Sequence, residues 1–255
     1  MRWAGFRKVR KQVCKRIGRR IGELELSGLP AYRDYLDSHP DEWKVLDSLC
    51  RVTISRFYRD RGVFDHLREE ILPQLASAAI TTGIDEVHCW SAGCASGEET
   101  YTIKMLWEAM QAEEGPALPR LHITATDSDP LLLERARKGR YTGSTLKDLP
   151  RELVESCFDV LKREFMIKDA LKSNIDFIEQ DIRTAMPDGP FGLILCRNLV
   201  LTYFEESLQE ELIKRIISRL LPGGYLVIGI HEHIPPGQKE AFLLSHAPCI
   251  HRKRN

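Results

Sequence analysis

The sequence lacks several things at once. No apolar run approaches the roughly 18 residues of a membrane-spanning helix; candidates such as Tyr225–Ile230 have the length of a core strand. The seven cysteines (Cys14, Cys50, Cys89, Cys94, Cys157, Cys196 and Cys249) are scattered, and none forms a CxxC pair. That spacing argues against a disulfide framework or a zinc knuckle and leaves reduced thiols in a cytoplasm as the plain expectation. There is no internal repeat, no low-complexity segment, and neither a GxGxxG nor a Walker A string. Net charge is also missing: 37 Lys and Arg balance 37 Asp and Glu. What remains is ordinary for a globular protein. Of 255 residues, 43% are hydrophobic and 29% charged, which excludes disordered, collagenous and coiled-coil classes and is enough to bury a sizeable core.

The zero sum hides an asymmetry. Residues 1–20 contain nine Lys/Arg and no Asp/Glu, and Arg252-Lys253-Arg254 adds three more bases. The stretch between them holds 25 bases against 37 acids. Phe6, Val9, Val13, Ile17, Ile21 and Leu24 recur at steps of three and four, so the basic head predicts an amphipathic helix. Such a charge run is a solvated face, an organelle-targeting segment, a nucleic-acid patch or a docking face for an acidic partner. The absence of Ser from residues 1–20 weighs against targeting. The acidic remainder of the chain, with no stacking motif, weighs against nucleic acid.

Three further helices are expected: Pro30–His39; Asp41 to about Val52, with Trp43, Leu46 and Leu49 inward; and about Gly62–Ala79. From residue 86 strands alternate with helices, which predicts a mostly parallel sheet covered on both faces. The boundary between a helical domain (1–80) and an α/β domain (81–255) is expected near residue 80, at Thr81-Thr82-Gly83.

Chemistry is expected at strand ends, where doubly wound sheets bind ligands. WSAGCASGEE (90–99) follows a strand; Gly93 and Gly97 let the backbone bend close to a ligand. The adjacent acids Glu98 and Glu99 would repel a phosphate but suit a cationic or hydroxyl-bearing ligand, if they do not simply cap a helix dipole. ATDSD (125–129) ends the next strand with Asp127, placed for a ribose hydroxyl or for a helix cap. QDIR (180–183) and LCRNLVLTYF (195–204) end two more. A charged Arg197-Asn198 after an apolar strand is expected at a site rather than in a core. SRFYRD (55–60) concentrates arginines and aromatics between helices. His231 and His233 of HEH would share a face in a strand, but no third metal ligand is evident, and no metal is assigned.

In this order, SRFYRD, WSAGCASGEE, ATDSD, CRNLVLTYF and LLPGG resemble the CheR-type methyltransferases, S-adenosylmethionine-dependent enzymes that methylate glutamate side chains of chemoreceptors. The resemblance covers nearly the whole chain. It implies a Rossmann-like methyltransferase sheet, mostly parallel with the last strand antiparallel, behind a small helical domain. It implies cofactor contacts from Ser55, Arg59, Gly93, Glu98 or Glu99, Asp127, Asp181, Ile182, Arg197 and Asn198, with Tyr203 close to the transferred methyl and Arg59 and Tyr203 as the catalytic pair. Thr53 stands where the family has Asn. The partner implied is an acidic protein such as a chemoreceptor helix, met by the basic head beside the substrate entrance. Nucleic acid and membrane insertion are not implied, and the sequence sets no oligomeric state.

Three departures qualify this reading. One extra residue separates Asn198 from Tyr203. HEH replaces a frequent HSE. The antiparallel β-subdomain that docks a receptor tether in the family would fall between Tyr141 and Phe177, where the chain reads as trimmed. That trimming favours a methyl acceptor other than the usual receptor. Another protein or small-molecule acceptor, and a module that binds cofactor without catalysis, are the alternatives.

Overall fold

Helices come first, as the periodicity predicts. In a computed structural model, which describes residues 9–50, 55–115, 117–243 and 247–255, the first unit (Met1–Ile54) carries α1 (Arg10–Glu23), α2 (Leu29–Ser38) and α3 (Glu42–Cys50). Phe6 of the apolar stripe and Thr53 lie outside the described residues. Val9, Val13, Tyr32 and Leu36 are buried. In the third helix Leu46 and Leu49 are half-buried, as expected, but Trp43 is not inward. Trp43 is 52% exposed, and Glu42 is the buried residue. Arg20 donates to both Glu42 oxygens, at 2.9 and 2.8 Å, and the Tyr32 hydroxyl donates to Oε1 at 3.0 Å. A buried carboxylate needs such partners, and finding them swings Trp43 outward.

The second unit, Ser55–Asn255, opens with α4 (Arg61–His66) and α5 (Leu72–Thr82), joined by a π-turn over Leu67–Ile71. Pro73, in the first turn of α5, has no N–H to donate, which accounts for the loosened hydrogen-bond register just before it. The unit boundary lies at 54/55 rather than near residue 80. The reason is packing: Phe64, Leu67, Ile71, Leu72 and Leu75 belong to the same buried cluster as Trp90, Leu193 and Leu226 of the sheet.

The remaining elements follow in chain order: β1 (Glu86–Ala92), α6 (Glu98–Glu114), β2 (Arg120–Asp127), α7 (Pro130–Lys138), β3 (Arg140–Thr142), α8 (Arg151–Cys157), β4 (Phe158–Leu161), β5 (Glu164–Ile167), β6 (Ile175–Glu179), β7 (Phe191–Leu195), α9 (Val200–Tyr203), α10 (Glu206–Ser218), β8 (Leu220–Val227) and β9 (Ile250–Arg252). The main sheet runs β6-β2-β1-β7-β8-β9, parallel except for β9. β7 is buried along its whole length, as a parallel strand covered on both faces should be. The strand order reverses between β1 and β7, which makes the crevice at their carboxyl ends the natural ligand site.

A second, three-stranded antiparallel sheet has the order β3-β5-β4. The region between Tyr141 and Phe177 is therefore not trimmed of its β-subdomain. Phe158 anchors this sheet edge-on to Phe57 at 5.3 Å, leaving Val160 and Leu161 on the edge strand 63% and 47% exposed.

Candidate active site

Five strand ends converge on the crevice. The loop after β1 is the tightest. Gly93 has φ +74°, and a Cβ there would lie 2.7 Å from Leu199 Cδ2, in the loop after β7. The amides of Gly93 and Cys94 both donate to the Thr126 carbonyl, at 2.8 and 3.0 Å. At the end of β2, Asp127 accepts from Ala95 N at 2.9 Å and from Asp129 N at 3.0 Å. Asp129 caps α7 by accepting from Leu131 N and Leu132 N. The two acids of ATDSD thus divide the alternatives left by the sequence: Asp129 is the helix cap, and Asp127 faces the β1 loop.

Glu98 and Glu99, consecutive in the first turn of α6, have different surroundings. The Glu98 side chain is buried and hydrogen-bonded by Ser55, and burial pushes its carboxyl above the ordinary range. Its Oε2 has no hydrogen-bond partner among the described residues. Glu99 sits under the crevice. Its charge acts on Cys89 of β1, Cys94 of the following loop and Cys196 after β7, whose thiols are pushed up chiefly by burial. Glu99 Oε2 accepts from Arg197 Nη1 at 2.9 Å, and Ser91 Oγ reaches Oε1 at 3.5 Å.

Arg197 ties three segments together. Its Nη2 donates to Asp60 Oδ2 at 2.6 Å and to the Arg59 carbonyl at 3.1 Å, and its guanidinium lies 5.1 Å from the Phe64 ring centroid. The Arg197 side chain is 3% exposed. Its Nε, also buried, has no partner among the described residues. Asp60 was not read as a site residue from the sequence. It lies 137 positions from Arg197, and only the folded chain brings them together.

The SRFYRD segment is anchored by its aromatics. Phe57 and Tyr58 are fully buried. Phe57 N donates to Thr145 O at 3.0 Å, and Tyr58 OH to Asp65 at 2.9 Å. Between these anchors and Asp60, Arg59 stays partly exposed. Tyr203, at the end of α9, lies within electrostatic reach of Arg59. Burial pushes the phenol up, the Arg59 cation draws it down, and the Glu232 charge raises it. At the end of β6, Asp181 holds Arg183 through Nε at 3.0 Å and Nη2 at 2.6 Å, and Ile182 is buried behind it.

Sequence reasoning also missed Glu232, the middle residue of HEH. His231 and His233 are exposed while Glu232 is buried. No group of three or more metal-ligating side chains occurs among the described residues. The signal was available in part, since an acid two residues past the apolar run Tyr225–Ile230 falls at the same sheet edge as the other strand-end residues.

Acids at neighbouring strand ends, a glycine loop and a buried cation suit a ligand bearing hydroxyls, an ammonium group and a carboxylate. The family described as CheR methyltransferase, SAM-binding domain, matches residues 53–250. The chain belongs to the CheR methyltransferase family. A probable chemotaxis protein methyltransferase of Rhizobium etli is 31% identical over 237 residues, covering 90% of this chain and 87% of that protein. The chemotaxis protein methyltransferase of Escherichia coli K12 is 30% identical over 235 residues, covering 88% and 77% respectively. An uncharacterized 104.1 kDa protein of Rhodobacter capsulatus is 31% identical over 91% of this chain, which spans only 24% of its length. Like other CheR-type enzymes, this one is an S-adenosylmethionine-dependent methyltransferase.

Proposed function

We propose that the chain methylates glutamate side-chain carboxylates on a cytoplasmic, chemoreceptor-type protein. We also propose that the residues gathered at the strand ends hold the cofactor. The donor set fits that cofactor: Asp127 for the ribose hydroxyls, Glu99 for the ammonium group, and the buried Arg197 Nε–H, unmatched among the described residues, for its carboxylate. Ser55, Gly93, Glu98, Asp181, Ile182 and Asn198 complete the wall. Of the two adjacent acids, Glu99 is the better ligand contact. Ser91 and Arg197 hold it at the switch point, whereas Glu98 faces Ser55. Thr53 belongs to this set by resemblance alone.

When bound, S-adenosylmethionine supplies a methyl group activated by a sulfonium. The acceptor carboxylate is ionised near pH 7 and is already a nucleophile, so the protein's task is alignment. One observation carries this reading: Tyr203 lies within electrostatic reach of Arg59, 144 positions away in sequence. Arg59 orients one carboxylate oxygen by charge-assisted hydrogen bonding, and Tyr203 the other. The three-stranded sheet, with its exposed edge at Val160 and Leu161, supports a receptor-type acceptor, because it supplies the surface whose trimming had favoured a different target.

The test uses tritiated-methyl cofactor with purified chemoreceptor cytoplasmic fragments. Label released as methanol by mild base is expected, as for a methyl ester; base-stable label would overturn carboxyl methylation. Arg59→Ala is expected to lower transfer about 100-fold, the cost of a misaligned nucleophile. Full transfer by that variant would remove Arg59 from the mechanism.

A further inference from the structure

Glu232 is 6% exposed, and both of its carboxylate oxygens are hydrogen-bonded. Oε2 accepts from the backbone N–H of Asn198 at 2.9 Å and of Gly229 at 2.6 Å, and Oε1 accepts from Thr202 Oγ1 at 2.6 Å. The loop after β8 thus grips the loop after β7 at Asn198 and the following helix α9 at Thr202. Glycine at 229 suits the grip, because a Cβ there would lie 2.8 Å from Glu232 Oε2 and 2.9 Å from Asn198 Oδ1 and push on both. It also holds Asn198 at φ +54°, a backbone conformation that costs energy unless its surroundings enforce it.

Thr202 immediately precedes Tyr203 in α9, a helix of four residues. One turn of helix does not hold its own register, because nucleation is unfavourable. Here the register is set from outside. Two of the three contacts made by Glu232 fall on the segment Asn198–Tyr203, which has one residue more than the family pattern. The residue before Tyr203 is the one whose hydroxyl Glu232 holds.

We infer that Glu232 is a positioning residue for methyl transfer: by holding Asn198 N and Thr202 Oγ1 together it fixes where the one-turn helix α9 presents Tyr203. This rests on the reading that Tyr203 meets the acceptor carboxylate. Arg59 and Glu232 are charged groups that act on the Tyr203 phenol.

The test compares Glu232→Gln, Thr202→Val and Thr202→Ser in the full chain. The first readout needs no turnover. The Tyr203 phenol is titrated by NMR in protein carrying isotope-labelled tyrosine, with Tyr203→Phe to assign the signal. Glu232→Gln is expected to move that titration downward as the negative charge is lost. Thr202→Val is expected to shift it, and Thr202→Ser to return it to the wild-type value. The second readout is the split between kcat on chemoreceptor fragments and cofactor affinity by calorimetry. Glu232→Gln and Thr202→Val are expected to lower kcat about 10- to 100-fold, as for loss of a charge-assisted hydrogen bond, while cofactor Kd changes far less. Thr202→Ser is expected to recover most of the lost rate.

An unmoved phenol titration in Glu232→Gln, or Thr202→Ser behaving like Thr202→Val, would overturn the proposal. So would a fall in kcat matched by an equal fall in cofactor affinity. Full activity of Tyr203→Phe would sink the catalytic reading of Tyr203 alone, and the titration would still decide whether Glu232 holds it.

Discussion

A single guanidinium shows how the site is held. Arg197 is a buried cation between two carboxylates, Asp60 and Glu99, with the Arg59 carbonyl as a third acceptor. Removing one member of such a group leaves the others desolvated and unmatched, at about 3–5 kcal/mol. Arg197→Met is therefore expected to lower the melting temperature by roughly 10 °C for a unit of this size, measured by circular dichroism. Arg197→Lys restores the charge but not the planar fork; it is expected to recover part of that loss while still weakening cofactor binding about tenfold, measured by calorimetry. A variant that melts and binds like wild type would show the fork to be dispensable. Arg197 could be read from the sequence because a charge directly after an apolar strand announces itself. Its partner Asp60 could not, because pairing across 137 positions is a product of topology. Glu232 was hidden differently: the flanking histidines drew the metal reading, while the inward-facing residue was the acid between them.

At the scale of elements, local pattern was legible where it was long and failed where it was short. The parallel strands and the helices between them follow from periodicity. β3, with three residues, and β4, which starts directly after α8 without a turn, carry too little pattern to announce themselves, which is why the region looks trimmed in sequence. In α3 the one departure, Trp43, has an energetic reason. Trp43 has the stronger claim to burial by hydrophobicity, but Glu42 is matched by Arg20 and Tyr32 and takes the buried position beside it. The Arg20 hydrogen bond holds the Glu42 carboxyl below its ordinary range, against the opposing effect of burial. A carboxyl whose folded-state pKa is depressed contributes stability above its unfolded value of about 4.3 and loses it as pH falls through the folded value. Glu42→Gln should therefore speed amide exchange in α1 and α3 at pH 7, with the difference from wild type shrinking below about pH 4. Equal exchange at pH 7 would show that the pair does not hold these helices.

Charge is legible only at the scale of the whole molecule, and only once the total is divided. The head predicted by the sequence becomes α1, with Arg10, Lys11, Lys15, Arg16 and Arg19 exposed and Arg20 drawn into the pair with Glu42. Arg20 is therefore part of the fold, and Arg16 reaches the Leu49 carbonyl at 3.5 Å. A test of the basic face as a recognition surface must spare both. Reversing Lys15 and Arg19 to Glu changes the face by four charges and leaves the Glu42 cluster intact. If the face attracts an acidic receptor helix, the association-limited methylation rate on receptor fragments should fall several-fold at low salt. The remaining rate should also depend less on ionic strength, because steering between exposed charges is screened over about 10 Å at 0.1 M. Cofactor affinity should not change, which separates steering from damage to the site. If rate and salt dependence both match wild type, the basic face is solvated only, and recognition of the acceptor falls to the second unit.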